Sequence, residues 1–259
     1  MAIADIGVFG GSGFYEFLDD VEEVHLDSEY GEPSSPLLVG ELEGDGSGRR
    51  VAFLPRHGAD HSHPPHTINF RANVDVMRQA GVGAIFGPCA SGSLHPDVAP
   101  GHFVVLDQFV DRTWGRPDTF WESGDPAHLP MADPYHEGLR QVAIEACKNE
   151  AVTVHESGTV VVIQGPRFST RAESHWFSRQ GWTVVNMTQY PEVALAKEAG
   201  IPYASIALIT DYDAGLEDDT DIEPVSQEAV FAVFEQNVAV VRRVLFRAIA
   251  AVPDHLLPS

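Results

Sequence analysis

The chain has 259 residues and carries 38 Asp and Glu against 16 Lys and Arg, a net charge of −22. Lys148 and Lys197 are its two lysines, and no basic stripe is present to follow a nucleic-acid backbone. An anionic lipid surface would repel such a chain, and a hydrophobic fraction of 44% argues for a packed core under an acidic skin.

No apolar window approaches the roughly 18 residues of a membrane span. No basic leader precedes the first apolar stretch, so no secretion signal is expected. Cys89 and Cys147 are too few for a disulfide framework. A cytoplasmic protein with neither nucleic-acid nor membrane partners is expected.

Apolar β-branched runs predict strands at 3–9, 50–54, 84–87, 102–107, 159–164, 183–186 and 204–210. Several are apolar on consecutive residues, as in strands covered on both faces. Helical patterns run over 69–80, 134–148, 170–180, 191–199 and 226–251. Gly81, Gly181 and Gly200 can stop three of them, and Pro191 suits a first turn. Stretches 111–133 and 214–224 read as long surface loops, the second strongly acidic. The alternation predicts an α/β fold with a central, largely buried sheet.

Six segments carry candidate chemistry. The first strand runs into Gly10, Gly11, Ser12 and Gly13, a loop that can crowd N–H groups around an anion or simply turn tightly. Its spacing fits neither the dinucleotide fingerprint nor the P-loop. Residues 55–66 hold Arg56 with His57, His61, His63 and His66. Four histidines suggest a metal site, but Pro64 and Pro65 prevent a helical presentation. Arg56 and His57 fit an oxyanion better, since Arg offers a fork matched to phosphate.

After the third predicted strand, residues 87–94 are small enough to admit a ligand or to pack as a turn. Nothing local activates Cys89 as a thiolate. In 164–173, Phe168 can stack on a flat ring, whereas Arg167 and Glu173 read as a structural ion pair. In 185–192, Met187 and Thr188 can face a ligand or serve as core and cap. Finally, Asp211 and Asp213 emerge from a buried strand, which is costly without partners. They can hold a metal–nucleotide, accept from an exocyclic amine, or protonate a leaving group.

Taken in order, GGSG, RHG, GPRFSTRAES, NMT-x-x-PE-x-x-LAKEAGI and SIALITDYD resemble the 5′-methylthioadenosine phosphorylase branch of the trimeric purine nucleoside phosphorylases. The resemblance implies one α/β domain over 1–259 with a central mixed sheet flanked by helices. It implies a pentosyltransferase that cleaves the nucleoside with inorganic phosphate, releasing adenine and 5-methylthioribose 1-phosphate. No metal and no cofactor are implied; phosphate is a co-substrate.

By the same resemblance, Ser12, Arg56, His57, Cys89, Ala90 and Thr188 bind phosphate. Met187 lies against the ribose. Phe168 and the turn at Ser91 and Gly92 flank the base. Asp211 and Asp213 read adenine, with Asp211 protonated to supply the leaving base. Ser169 and Gln227 bear on specificity, and His128 reaches a neighbouring subunit's site in a homotrimer, with pairing of trimers left open. A small positive pocket built on Arg56 and His57, without Lys, is expected inside the acidic shell.

A polar Gln227 leaves room for a broader nucleoside phosphorylase that takes a 5′-hydroxyl. Other readings are a hydrolase using water, a dinucleotide-dependent oxidoreductase resting on the glycine loop, and a nucleoside-binding module without turnover.

Overall fold

The apolar runs become strands because both of their faces are covered. The computed structural model describes residues 2–11, 17–42, 48–123, 128–214, 216 and 226–258, with the backbone alone for 227 and 229. In chain order the elements are β1 (Ile6–Gly10), β2 (Glu22–Val24), β3 (Leu37–Glu41), β4 (Arg50–Pro55), α1 (Phe70–Ala80), β5 (Ala84–Phe86), β6 (Cys89–Ser93), β7 (Phe103–Val105) and β8 (Gln108–Arg112). There follow α2 (Glu137–Asn149), β9 (Val154–His155), β10 (Thr159–Ile163), α3 (Arg171–Arg179), β11 (Val184–Asn186), α4 (Gln189–Glu198), β12 (Tyr203–Ala204), β13 (Ile206–Tyr212) and α5 (Gln227–Ala250).

Among the described residues the strands form two mixed sheets, in the orders β12-β5-β1-β4-β3-β2 and β8-β10-β11-β6-β13-β7-β9. The expected α/β class holds, with its sheet in two parts. The chain crosses between them three times: directly from β5 to β6 through Gly87 and Pro88, back from β11 to β12 by way of α4, and directly from β12 to β13 through Ser205. Ser205 Oγ donates to the Gly87 carbonyl at 2.7 Å and ties the two direct crossings together.

Alternation along β1, β4 and β5 divides the core. Ile6, Val8, Val51, Phe53 and Phe86 pack with Leu139 and Ile144 of α2 and with Val244, Leu245 and Ile249 of α5. Phe9, Ala52, Leu54 and Ile85 pack instead with Phe70, Val74 and Met77 of α1 and with Val193 and Leu195 of α4. Helices on both sides explain why these strands lack a polar face.

The helix ends follow their local chemistry. Asn69 accepts from the Ala72 N–H at 3.2 Å, and Gly81 closes α1 with φ of 77°. Thr170 and Glu173 cap α3 reciprocally, a motif worth about 1 kcal/mol. Tyr190 is extended, so the regular part of α4 starts at Pro191, as expected.

Two expectations change. Residues 87–94 were expected to leave room for a ligand or to pack as a turn; most of them form β6 instead of a turn, because the neighbouring β11 and β13 complete its backbone ladder on both sides. The loop expected from residue 111 starts later, since Asp111 and Arg112 end β8 against β10. Of the second predicted loop, only Ala214 and Leu216 lie among the described residues. No described helix is long and apolar enough to cross a membrane.

Candidate active site

A cavity of about 290 Å³ opens beside the joint between the two sheets. Its wall combines the turn after β4, strands β6, β11 and β13, the segment before α3, and the first turns of α5.

At one end sits Arg56, fully buried at 0% exposure. Its Nε donates to Glu192 Oε2 at 2.7 Å and its Nη2 to Glu192 Oε1 at 2.8 Å. Nη2 also donates to the Phe9 carbonyl at 3.1 Å and Nη1 to that of Pro88 at 3.0 Å. A guanidinium has five N–H donors, so one on Nη1 is left without an acceptor among the described residues. A Cβ on Gly11 would lie 2.9 Å from that Nη1, so only a glycine backbone fits beside it. Burial works against the charge, but the Glu192 carboxylate outweighs it and holds the guanidinium protonated above its ordinary range. The fork expected to grip phosphate is thus closed on Glu192, which the Tyr203 hydroxyl also holds at 2.6 Å.

His57 Nδ1 lies 2.8 Å from the His63 carbonyl. A carbonyl only accepts, so Nδ1 carries the proton and Nε2 is a bare acceptor. Burial pushes the imidazole down to about 3, with Arg56 and His61 adding to the effect. His57 is therefore neutral at physiological pH, so of the pair expected to make the pocket positive only Arg56 carries a charge. The His57 ring stacks on His61, centroids 4.6 Å apart, and His61 meets the edge of Phe231 at 5.6 Å.

Beside Arg56, Cys89 is buried against Ser91, Ser205 and Asn186. Burial raises its thiol, leaving a packed SH group with no nucleophilic role. Thr188 is buried at the start of α4 and makes no side-chain cap bond, so its hydroxyl is not held by the helix. Asn186 Oδ1 is also buried without a partner among the described residues.

The other end is acidic. Burial pushes the Asp211 carboxyl up to about 6, the Thr210 hydroxyl pulls it down, and Asp213 pushes it up again. Burial raises Asp213 too, against the Ser174 and Ser169 hydroxyls. Asp213 Oδ2 is buried with no hydrogen-bond partner among the described residues. A buried, unpartnered carboxylate oxygen at a cavity wall is an open acceptor site.

This chain matches the model of the phosphorylase superfamily over residues 5–250. The chain belongs to the phosphorylase superfamily. It is 50% identical over 258 residues to a purine nucleoside phosphorylase of Streptomyces coelicolor, covering 96% of this chain and 90% of that one. It is 50% identical over 248 residues to an S-methyl-5′-thioadenosine phosphorylase of Mycolicibacterium smegmatis, covering 95% and 91%. The Schistosoma mansoni methylthioadenosine phosphorylase in complex with adenine superposes with a TM-score of 0.90 at 38% identity, covering 96% and 92%.

The phosphorylase cavity brings together Arg56, His57, Cys89, Ala90, Thr188, Phe168, Ser169, Met187, Asp211 and Asp213, ten of the residues singled out from the sequence. Ser12 and the side chain of Gln227 lie outside the described residues. His128 is exposed and does not line the cavity of its own chain. Arg167 pairs with Glu173 at 2.7 Å on both nitrogens, the structural ion pair expected.

Sequence reasoning missed four contributors. Glu192 was noted only as part of a motif, because its partner Arg56 lies 136 residues away. Val230 and Phe231 line the cavity one turn into α5. Arg116, inside the expected loop, is buried and donates to the carbonyls of Gln164 at 2.9 Å, Met187 at 2.9 Å and Tyr190 at 2.6 Å. Burial lowers it to about 10, and no described carboxylate pairs with it. It gathers three segments that frame the cavity, a role with no local signature.

Proposed function

We propose that this phosphorylase cleaves the N-glycosidic bond of 5′-methylthioadenosine with inorganic phosphate, yielding adenine and 5-methylthioribose 1-phosphate. The observation that carries the reading is one cavity with oxyanion donors at one end and two raised carboxyl groups at the other. Hydrogen phosphate would take the free Arg56 N–H and the Thr188 hydroxyl, and give its own O–H to His57 Nε2. Cys89 and Ala90 would contribute backbone beside it, with Ser12 from the glycine loop. The phosphate dianion then stabilises the oxocarbenium-like sugar and captures its anomeric carbon.

Met187 would support the ribose and Phe168 the base, with Ser169 beside Asp213. Asp213 would accept from the exocyclic amine, and Asp211 would protonate the purine imidazole as it leaves. A base with a carbonyl at that position would face Asp213 lone pair to lone pair, so adenine should win strongly over hypoxanthine. Val230, Phe231, Pro64 and Pro65 make an apolar wall that suits a methylthio group better than a hydroxyl. The Streptomyces relative, by its name, keeps a broader nucleoside range as the second reading.

Three supporting proposals follow. His128 would complete a neighbour's cavity in a homotrimer; it is exposed, as are nearby Leu129 and Trp121. Both cysteines are free and buried, which suits the cytoplasm. Phosphate serves as co-substrate, without a further cofactor.

The test is kcat/KM for methylthioadenosine, adenosine and inosine at saturating phosphate. Methylthioadenosine should lead, adenosine follow, and inosine trail by about 10⁴-fold. Inosine turned over as well as methylthioadenosine would overturn the reading.

A further inference from the structure

We propose that Thr210 is a positioning residue that reserves Asp211 Oδ2 for the proton given to the leaving base. The inference rests on the reading of Asp211 as the proton donor. It begins with a fault in the sheet. Along the β6–β13 ladder Ile209 pairs with Ser91, yet Asp211 pairs with the next residue, Gly92. Thr210 is the extra residue of a β-bulge. In a regular strand, successive side chains point to opposite faces. The bulge cancels one alternation, so Thr210 and Asp211 both line the cavity, as does Asp213 two residues on.

The bulge brings the Thr210 hydroxyl to 2.7 Å from Asp211 Oδ1. Its other acceptor among the described residues is the Ser91 carbonyl at 3.4 Å. One hydroxyl has one proton, and the nearer, potentially charged oxygen takes it. Asp211 Oδ1 is then an acceptor in every protonation state. When the carboxyl is protonated, its hydrogen sits on Oδ2. That oxygen lies over Gly92, where a Cβ would stand 2.9 Å away. The absence of a side chain at Gly92 is what leaves room for Oδ2 at that place.

The charged groups around Asp211 are few. Asp213, just past the end of its strand, is the one that acts on it, and Glu173 of α3 acts on Asp213. The strands packed beside it present Gly92 of β6 and Val185 of β11 at this point. Burial and Asp213 both favour the acid form; the Thr210 hydroxyl alone supports the carboxylate. Thr210 therefore holds the acid weak enough to be protonated and strong enough to give its proton up.

The C1′–N9 bond breaks and its electron pair enters the purine. The proton on Asp211 Oδ2 passes to N7, leaving a carboxylate that Thr210 stabilises. A phosphate oxygen bonds to C1′, and the proton released from hydrogen phosphate restores Asp211 through solvent.

The experiment is the pH profile of kcat/KM for methylthioadenosine at saturating phosphate, for the unmodified chain, T210V, T210S and D211N. Phosphate titrates identically in all four, so differences report the enzyme. In T210V the fall in activity at high pH should move up by about one pH unit. Its plateau should drop about tenfold as the acid weakens. T210S, which keeps the hydroxyl, should overlay the unmodified profile. If T210V fails to fold, T210A removes the same donor with less volume. A T210V profile with its high-pH limb unmoved, or T210S behaving like T210V, would overturn the role of the hydroxyl. D211N retaining full activity would instead overturn Asp211 as the donor, whatever Thr210 does.

Discussion

The two ends of the cavity treat buried charge in opposite ways. At the Arg56 end, charge is compensated before any ligand arrives: Glu192 closes on the guanidinium, two carbonyls take further donors, and His57 is kept neutral. At the Asp211 end, two carboxyl groups share a wall with no cation beside them among the described residues, and both are raised. The first arrangement is rigid and offers few, well-placed donors. The second stores an unfavourable charge that a proton or a base edge relieves. A dianion is best met by a fixed site, whereas a leaving base needs a group that can change its protonation state.

The largest test of this contrast is Asp211→Asn. It should lower kcat/KM by about 10³-fold, within the usual span of a positioned general acid. It should also stabilise the fold. A carboxyl raised in the native state binds its proton more tightly there than when unfolded. Stability from this group is therefore present at low pH and lost as pH rises from about 4 through about 6. Above that window the penalty is up to about 3 kcal/mol, so thermal unfolding of the Asn variant at neutral pH should occur at a higher temperature. A variant that is both inactive and less stable would break the contrast.

At the opposite end, Glu192→Ala leaves the Arg56 charge buried and alone, and should destabilise by about 3–5 kcal/mol. Tyr203→Phe is gentler: it removes the hydroxyl bond to Glu192 and the longer one accepted from Gln189 Nε2, about 1 kcal/mol each, and should raise the KM for phosphate more than that for the nucleoside. Equal changes in both constants would remove the link between this network and phosphate.

Phe231→Ala should weaken the apolar wall and lower the methylthioadenosine-to-adenosine ratio of kcat/KM about tenfold. Arg167→Ala is the small end of the series. The pair with Glu173 is solvent-exposed on the Arg side, so its loss should change stability by under about 1 kcal/mol and leave kcat almost untouched. Isothermal kinetics and thermal melts read both variants.

The legible and illegible parts of the molecule divide along the same physical lines. Caps at Asn69, Gly81 and Thr170 are local chemistry, and the helices they bound were readable from neighbouring residues. The apolar strands were readable because covered faces demand them. β6 was not: Cys-Ala-Ser-Gly-Ser has weak strand preference, and its neighbours β11 and β13 impose the conformation from far along the chain. His57 could be nominated from its motif, but its neutrality depends on burial and on the His63 carbonyl, neither visible in composition. The bulge at Thr210 is a property of register between two strands, and no local signal announces it.

Release of adenine from 5′-methylthioadenosine, measured with and without inorganic phosphate, tests the central claim most directly. Turnover should vanish without phosphate, and with it each adenine released should be matched by one 5-methylthioribose 1-phosphate. Adenine release undiminished without phosphate, with free 5-methylthioribose as the sugar product, would contradict it.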